Sequence, residues 1–152
     1  GLVGGSVQHS LVPPKATITV RPSETHDMPA VRAILYDTFE RTWRPHLTVT
    51  AARAYRDEDR PGRYIAERGQ CFRVAVIAGV IVGFVDREAD FVHALHVRST
   101  HARQGVRTCL MDVVESEIGR AGHAAVKLET DTFNVGSQAF YAARGYEEVD
   151  RY

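Results

Sequence analysis

Apolar residues recur along this chain with two periods, two and about 3.6, and the switches between them mark out its elements. Ala16–Arg21 alternates, with Ile18 and Val20 on one side, and predicts a strand. Thr25 or Asp27 can cap the helix that follows; its Pro29 suits a first turn, and Val31, Ile34, Leu35 and Phe39 form one stripe. Arg41–Thr50 holds Trp43 and Pro45 and leads into a polar helical stretch, Ala51–Tyr55. Asp57–Arg63 reads as a charged loop broken by Pro61 and Gly62. Cys71–Ala78 and Val80–Asp86, separated by Gly79, predict a hairpin, and Phe91–Val97 predicts the next strand. Gly105–Arg120 predicts a helix ending near Gly122, and Ala124–Thr130 a strand. Asn134–Arg144 is a short helix that Gly145 closes, and Tyr146–Tyr152 begins a last strand.

The order β-α-α-β-β-β-α-β-α-β predicts an α+β domain, one mixed α/β sheet with an antiparallel meander at its centre and helices on its faces. Residues 1–15 are placed outside it as a disordered tail or tag remnant, and residues 16–152 as a single domain. The length, 152 residues, supports one core of useful size. Charge narrows the partners. Nineteen Lys and Arg cancel nineteen Asp and Glu, so no global basic field recruits nucleic acid or an acidic membrane. No apolar run approaches the ~20 residues that span a bilayer. Cys71 and Cys109 sit in apolar surroundings and read as small core residues, and the chain's opening lacks a signal peptide. Both features imply a cytoplasmic setting.

Chemistry concentrates in two segments. In Val97–Met111 a strand ends, a loop crosses to Gly105, and a helix starts at once with Val106, Leu110, Val113 and Val114 on its apolar face. Such a junction aims unpaired N–H groups and the positive end of a helix dipole at one point, a place for a phosphate. Arg103 and Arg107 add charge. A plain turn with one glycine has the same outline. The second segment, Leu128–Tyr146, carries Leu128, Thr130, Asn134, Phe140, Tyr141, Gly145 and Tyr146 in a distinctive spacing. It resembles the GCN5-related N-acetyltransferases (GNAT), whose motif runs Leu-x-Thr, then Asn, then Ala-x-x-Phe-Tyr-x-x-x-Gly-Phe/Tyr. Only the alanine is offset, at Ala139. With that match, Val97–Met111 aligns with the family's pyrophosphate loop, Arg/Gln-x-x-Gly-x-Gly/Ala. Ala102 stands at its first position, Arg107 at its last, and Ser99 replaces a proline common before it.

The resemblance implies an acetyl-CoA-dependent N-acetyltransferase, passing acetyl to an amine of a small molecule or of a protein N-terminus or lysine. The cofactor would lie where Phe91–Val97 and Ala124–Thr130 splay apart. Backbone around Leu95, His96 and Val97 would pair with the pantetheine arm, and Asn134 would hold it from the other side. The N–H groups of Arg103, Gln104, Gly105, Val106, Arg107 and Thr108 would meet the pyrophosphate. Tyr141 is the expected general acid, since a phenol (pKa ~10) can donate to a thiolate (~8.5) while staying un-ionised; the alternative is a tyrosine that only packs its helix. The acceptor ammonium (~10.4) must lose a proton. Relatives carry a glutamate where Phe91 stands, so His93 or a relaying water is the expected base.

His93, His96 and His101 raise a metal, but residues three apart on a strand face opposite ways, and no metal is expected. Phe39 and Trp43 are the candidates for lining the acceptor side. Relatives end in a hairpin, whereas here the last strand is only begun. An open sheet edge implies pairing with a second copy as a homodimer. Ala102, Arg107 and the absent glutamate keep a second reading open, a non-catalytic acyl-CoA-binding or regulatory domain.

Overall fold

The computed structural model describes residues 4–9 and 17–151. Residues 4–9 carry no helix or strand; 1–3 and 10–15 of the expected tail, Ala16 and Tyr152 lie outside the described residues. The elements are β1 (Ile18–Pro22), α1 (Met28–Thr38), α2 (Val49–Asp57), α3 (Arg60–Arg68), β2 (Phe72–Ile77), β3 (Val80–Glu88), β4 (Phe91–Val97), α4 (Val106–Arg120), β5 (Lys127–Leu128) and α5 (Val135–Ala143). They build one sheet in the order β1-β2-β3-β4-β5, the mixed α+β arrangement that the pattern predicts. The first four strands are antiparallel neighbours, and β5 alone runs parallel to its partner β4.

Each face is covered by helices with the expected apolar stripes. On one face Val31, Ile34 and Leu35 of α1 pack with Phe72, Val74, Ile81 and Phe84, and α3 adds Tyr64 and Ile65. On the other, Val106, Leu110, Met111, Val114 and Ile118 of α4 and Tyr141 of α5 pack with Ala75, Val82, Val85 and Val92. Gly83 sets the closeness of that second layer. A Cβ there would stand 2.9 Å from the carbonyl oxygen of His96 and 3.1 Å from Val106 Cγ1, so only glycine lets the start of α4 rest on the sheet. No helix among the described residues is long and apolar enough to cross a membrane.

Three sequence expectations are corrected. The charged loop at Asp57–Arg63 gives way to α3. Asp59 caps it by accepting from the Gly62 N–H, and Pro61 sits in the first turn, where its missing donor costs nothing. Ala124–Thr130 shrinks to the two residues of β5. The strand begun at Tyr146 does not form over residues 146–151: no ladder partner lies alongside, and Val149 is 95% exposed. Beyond α1 the helix widens into a π turn, Phe39–Trp43, and then a 3-10 turn, Arg44–His46.

The α1 side contains a fully buried carboxylate. Asp86 on β3 accepts from the Tyr64 hydroxyl and from the Arg68 guanidinium at 3.1 and 2.8 Å. A charge so placed is tolerated only while its donors remain. Arg68→Ala should therefore cost about 3 kcal/mol of unfolding free energy, and Tyr64→Phe about 1–2 kcal/mol. Urea denaturation measures both, and a loss below 1 kcal/mol for Arg68→Ala would contradict this account.

Candidate active site

The parallel pairing of β4 with β5 covers only Phe91↔Lys127 and Val92↔Leu128. Past that point β4 continues to Val97, bonded to β3 on one side. Its other edge, His93–Val97, faces a gap instead of a strand, among the described residues. Unpaired N–H and C=O groups at the centre of a sheet are an invitation to a ligand that carries amides of its own. Leu95 and Val97 pack toward the α4 layer, and their backbone lines this gap.

The loop leaving β4 is held from two sides. The Arg98 N–H donates to the Val82 carbonyl at 2.7 Å, and Ser99 donates to Asp37 of α1 through its N–H (3.0 Å) and its hydroxyl (3.2 Å). Asp37 is thereby pulled below the usual carboxylate range, burial opposing and the Ser99 and Arg41 hydrogen bonds prevailing. Arg103 (φ +63°) and Gly105 (φ +84°) adopt the left-handed conformation, which lets the chain turn into α4 without a side-chain cap. The first-turn N–H groups of α4 thus remain free to meet an anion. Arg103, Gln104, Gly105 and Thr108 are exposed around them, while the Val106 side chain is buried in the core. The Arg107 side chain lies over the Phe140 ring, with Cζ 5.0 Å from its centre.

Beyond β5 the chain enters α5. Asn134 caps it by accepting from the Ser137 N–H at 3.2 Å, as its place before the helix predicts. Tyr141 is 9% exposed, edge-on to Phe140 and Tyr146. Its hydroxyl has no protein partner among the described residues, and no fully buried side-chain oxygen there lacks one, so the phenol oxygen keeps some contact with solvent. Burial pushes this phenol up to about 12, with the charges of Arg107 and Arg144 pulling part of the way back.

Structure and sequence part company on β4 and in the α1 wall. A bulge leaves His93 without a partner on β3. It turns the ring toward Glu88, at 3.2 Å, on the face that carries Arg68. The premise that His93 and His96 face opposite ways therefore fails, because the bulge breaks the alternation. Among the described residues no group of three or more such side chains is arranged to hold a metal. Phe39 is also corrected. It is fully buried, stacked on Tyr55 at 3.8 Å, and offers no surface to an acceptor. Trp43 stands edge-on to His96 at 6.3 Å. The pattern gave no sign of a contact across the gap, where His46 stacks on Phe133 at 4.1 Å. Phe133 itself is exposed, as are the stack's neighbours in the chain, Leu47, Val49 and Val135. Glu129, just beyond β5, is a further exposed carboxylate at the start of the gap.

A sheet parted between two parallel strands, with an uncapped helix start and Tyr141 packed on the same face, is the geometry of this site. The chain belongs to the Acetyltransferase (GNAT) family, which it matches over residues 28–146. Human N-acetyltransferase 8 is similar, 30% identical over 97 residues, which are 57% of this chain and 42% of the relative. The chain thus matches less than half of that relative's length. Two solved structures share the fold. The PaiA N-acetyltransferase of Thermoplasma acidophilum in complex with coenzyme A has a TM-score of 0.77 at 16% identity, over 90% of this chain and 93% of that one. A GCN5-related N-acetyltransferase from Rhodopseudomonas palustris has a TM-score of 0.73 at 23% identity, over 95% and 89%.

His96, against Phe84 and Trp43, lies deep enough that burial, aided by the charge of Arg107, pushes its imidazole down to about 4. The unfolded chain, with an ordinary histidine near 6.5, binds the proton first as pH falls. Stability contributed by neutral His96 is complete above that value and drains away down to pH 4. Between pH 7 and pH 5 the wild type should lose about 2 kcal/mol more than His96→Gln, read from urea midpoints. Parallel pH profiles for the two proteins would contradict the neutral, partly buried histidine.

Proposed function

We propose that the chain transfers the acetyl group of acetyl-CoA to an amine by direct attack within the β4–β5 gap. The observation that carries this reading is Tyr141, a mostly buried phenol whose hydroxyl no protein group engages among the described residues, packed in one cluster with Val106 at the uncapped start of α4. The open edge at Leu95, His96 and Val97 suits the amides of a pantetheine arm, with Asn134 opposite. The N–H groups from Arg103 to Thr108 suit the pyrophosphate. The complex with coenzyme A in a structure of the same fold supports the assignment.

Attack by the amine nitrogen on the thioester carbonyl expels a thiolate and forms an N–H-bearing amide after one proton leaves the nitrogen. Tyr141 supplies a proton to the sulfur. His93 or a water chain receives the amine proton; Glu129, just beyond the last paired residue of β5, is a further acceptor for it. Trp43, His46 and Phe133, with their chain neighbours Leu47, Val49 and Val135, make an aromatic and apolar entrance. Such a wall favours a small amine or an N-terminus bearing an apolar group over a polycation.

Tyr141→Phe removes only the phenol oxygen. It should lower kcat about 100-fold while leaving the Kd for acetyl-CoA within about twofold. Thiol release with a panel of amines measures the first and calorimetry the second. A parallel loss of binding would make Tyr141 structural. Acetyl-CoA binding by the wild type with no turnover across the panel would favour the regulatory reading, to which Ala102 and Arg107 point. His93→Ala separates the proton routes: kcat within about threefold means water or Glu129 suffices, and a larger fall at neutral pH makes His93 the base.

A further inference from the structure

Burial that keeps Tyr141 protonated also makes it a reluctant acid. With its phenol up at about 12, giving a proton to a thiolate near 8.5 is uphill by more than three powers of ten. Some charge must therefore stabilise the negative oxygen that replaces the negative sulfur. Two cations flank Phe140, the residue before Tyr141. Arg144, 5.8 Å from that ring, also acts on Tyr141 but is tied up in ion pairs with Asp112 at 2.8 Å and Glu115 at 2.5 Å. Arg107, at 5.0 Å, has no carboxylate partner among the described residues. The stack holds it against α5, and its field reaches both Tyr141 and His96.

We propose that Arg107 is a positioning residue for acyl transfer, a cation pinned on Phe140 that stabilises the charge passing from the departing sulfur to the Tyr141 oxygen. The inference rests on the reading given under Proposed function. The carbon–sulfur bond breaks with its electron pair on sulfur, and the Tyr141 proton moves to that sulfur. The phenolate so formed recovers a proton from solvent, and Arg107 stays protonated throughout. In the family's loop this position is small, so the arrangement belongs to this chain's own sequence.

The test compares Arg107→Gln and Arg107→Lys with wild type on two donors, acetyl-CoA and S-acetylpantetheine, which lacks the pyrophosphate and the nucleotide. Arg107→Gln should lower kcat about tenfold on both donors, and Arg107→Lys should restore most of it. With Tyr141→Phe already in place, Arg107→Gln should add less than twofold. A defect confined to the KM for acetyl-CoA would overturn the proposal and make Arg107 a phosphate contact. No change in kcat, or an equal fall in the Gln and Lys variants with a lowered Tm, would reduce it to packing. Failure of the wild type to turn over either donor would instead sink the acetyltransferase reading itself.

Discussion

Two residue pairs, Phe91 with Lys127 and Val92 with Leu128, hold β5 to the sheet, and the chemistry of the chain follows from where that pairing stops. A sheet interior normally has no free backbone, because an unpaired amide away from water costs about as much as a lost hydrogen bond. Here the gap opens beside β4 while the core beneath stays closed. Val92, Leu95 and Val97 are seated by α4, and α4 is seated by the bare backbone of Gly83. The hydrogen-bonding edge is thus rigid and available together, as a binding slot requires.

Around that slot the two faces divide the work. The α4–α5 face presents the free helix start, the Asn134 cap and Tyr141, groups that suit a long anionic thioester. The α1 face brings Trp43, His46 and His96, groups that suit the acceptor. Asp37 joins the two, because it anchors Ser99 at the head of the anion loop from the middle of α1. Burial gives His96 and Tyr141 the same character by opposite shifts. One falls and one rises, and both are neutral at ordinary pH, while the charge of Arg107 acts on each.

Much of this was legible in the sequence because it is local. β4 and α4 have unambiguous periods, Gly105 and Asn134 mark helix starts, and the spacing from Leu128 to Tyr146 is specific. What was hidden depends on partners distant in the chain. The bulge at His93 exists only in register with β3. Phe39 belongs to a stripe whose end reaches toward the expected site, and its stack on Tyr55 needs α2 in place. The α3 helix was obscured by Pro61 and Gly62, which break a helix interior but are harmless behind the Asp59 cap. Arg107, a departure when aligned, acquires a rationale only once Phe140 lies beneath it.

The π turn at Phe39–Trp43 bears on how such a chain can change. It accommodates one residue more than an ordinary turn, downstream of Val31, Ile34 and Leu35, which fix α1 to the sheet. Deleting a single residue there would relax the turn to α geometry and leave the chain that follows at the azimuth it has now. The sheet, the gap beside β4 and the wall formed by Trp43 and His46 would keep their places. This turn is therefore a point where the chain can lose one residue without transmitting the change to the rest of the fold.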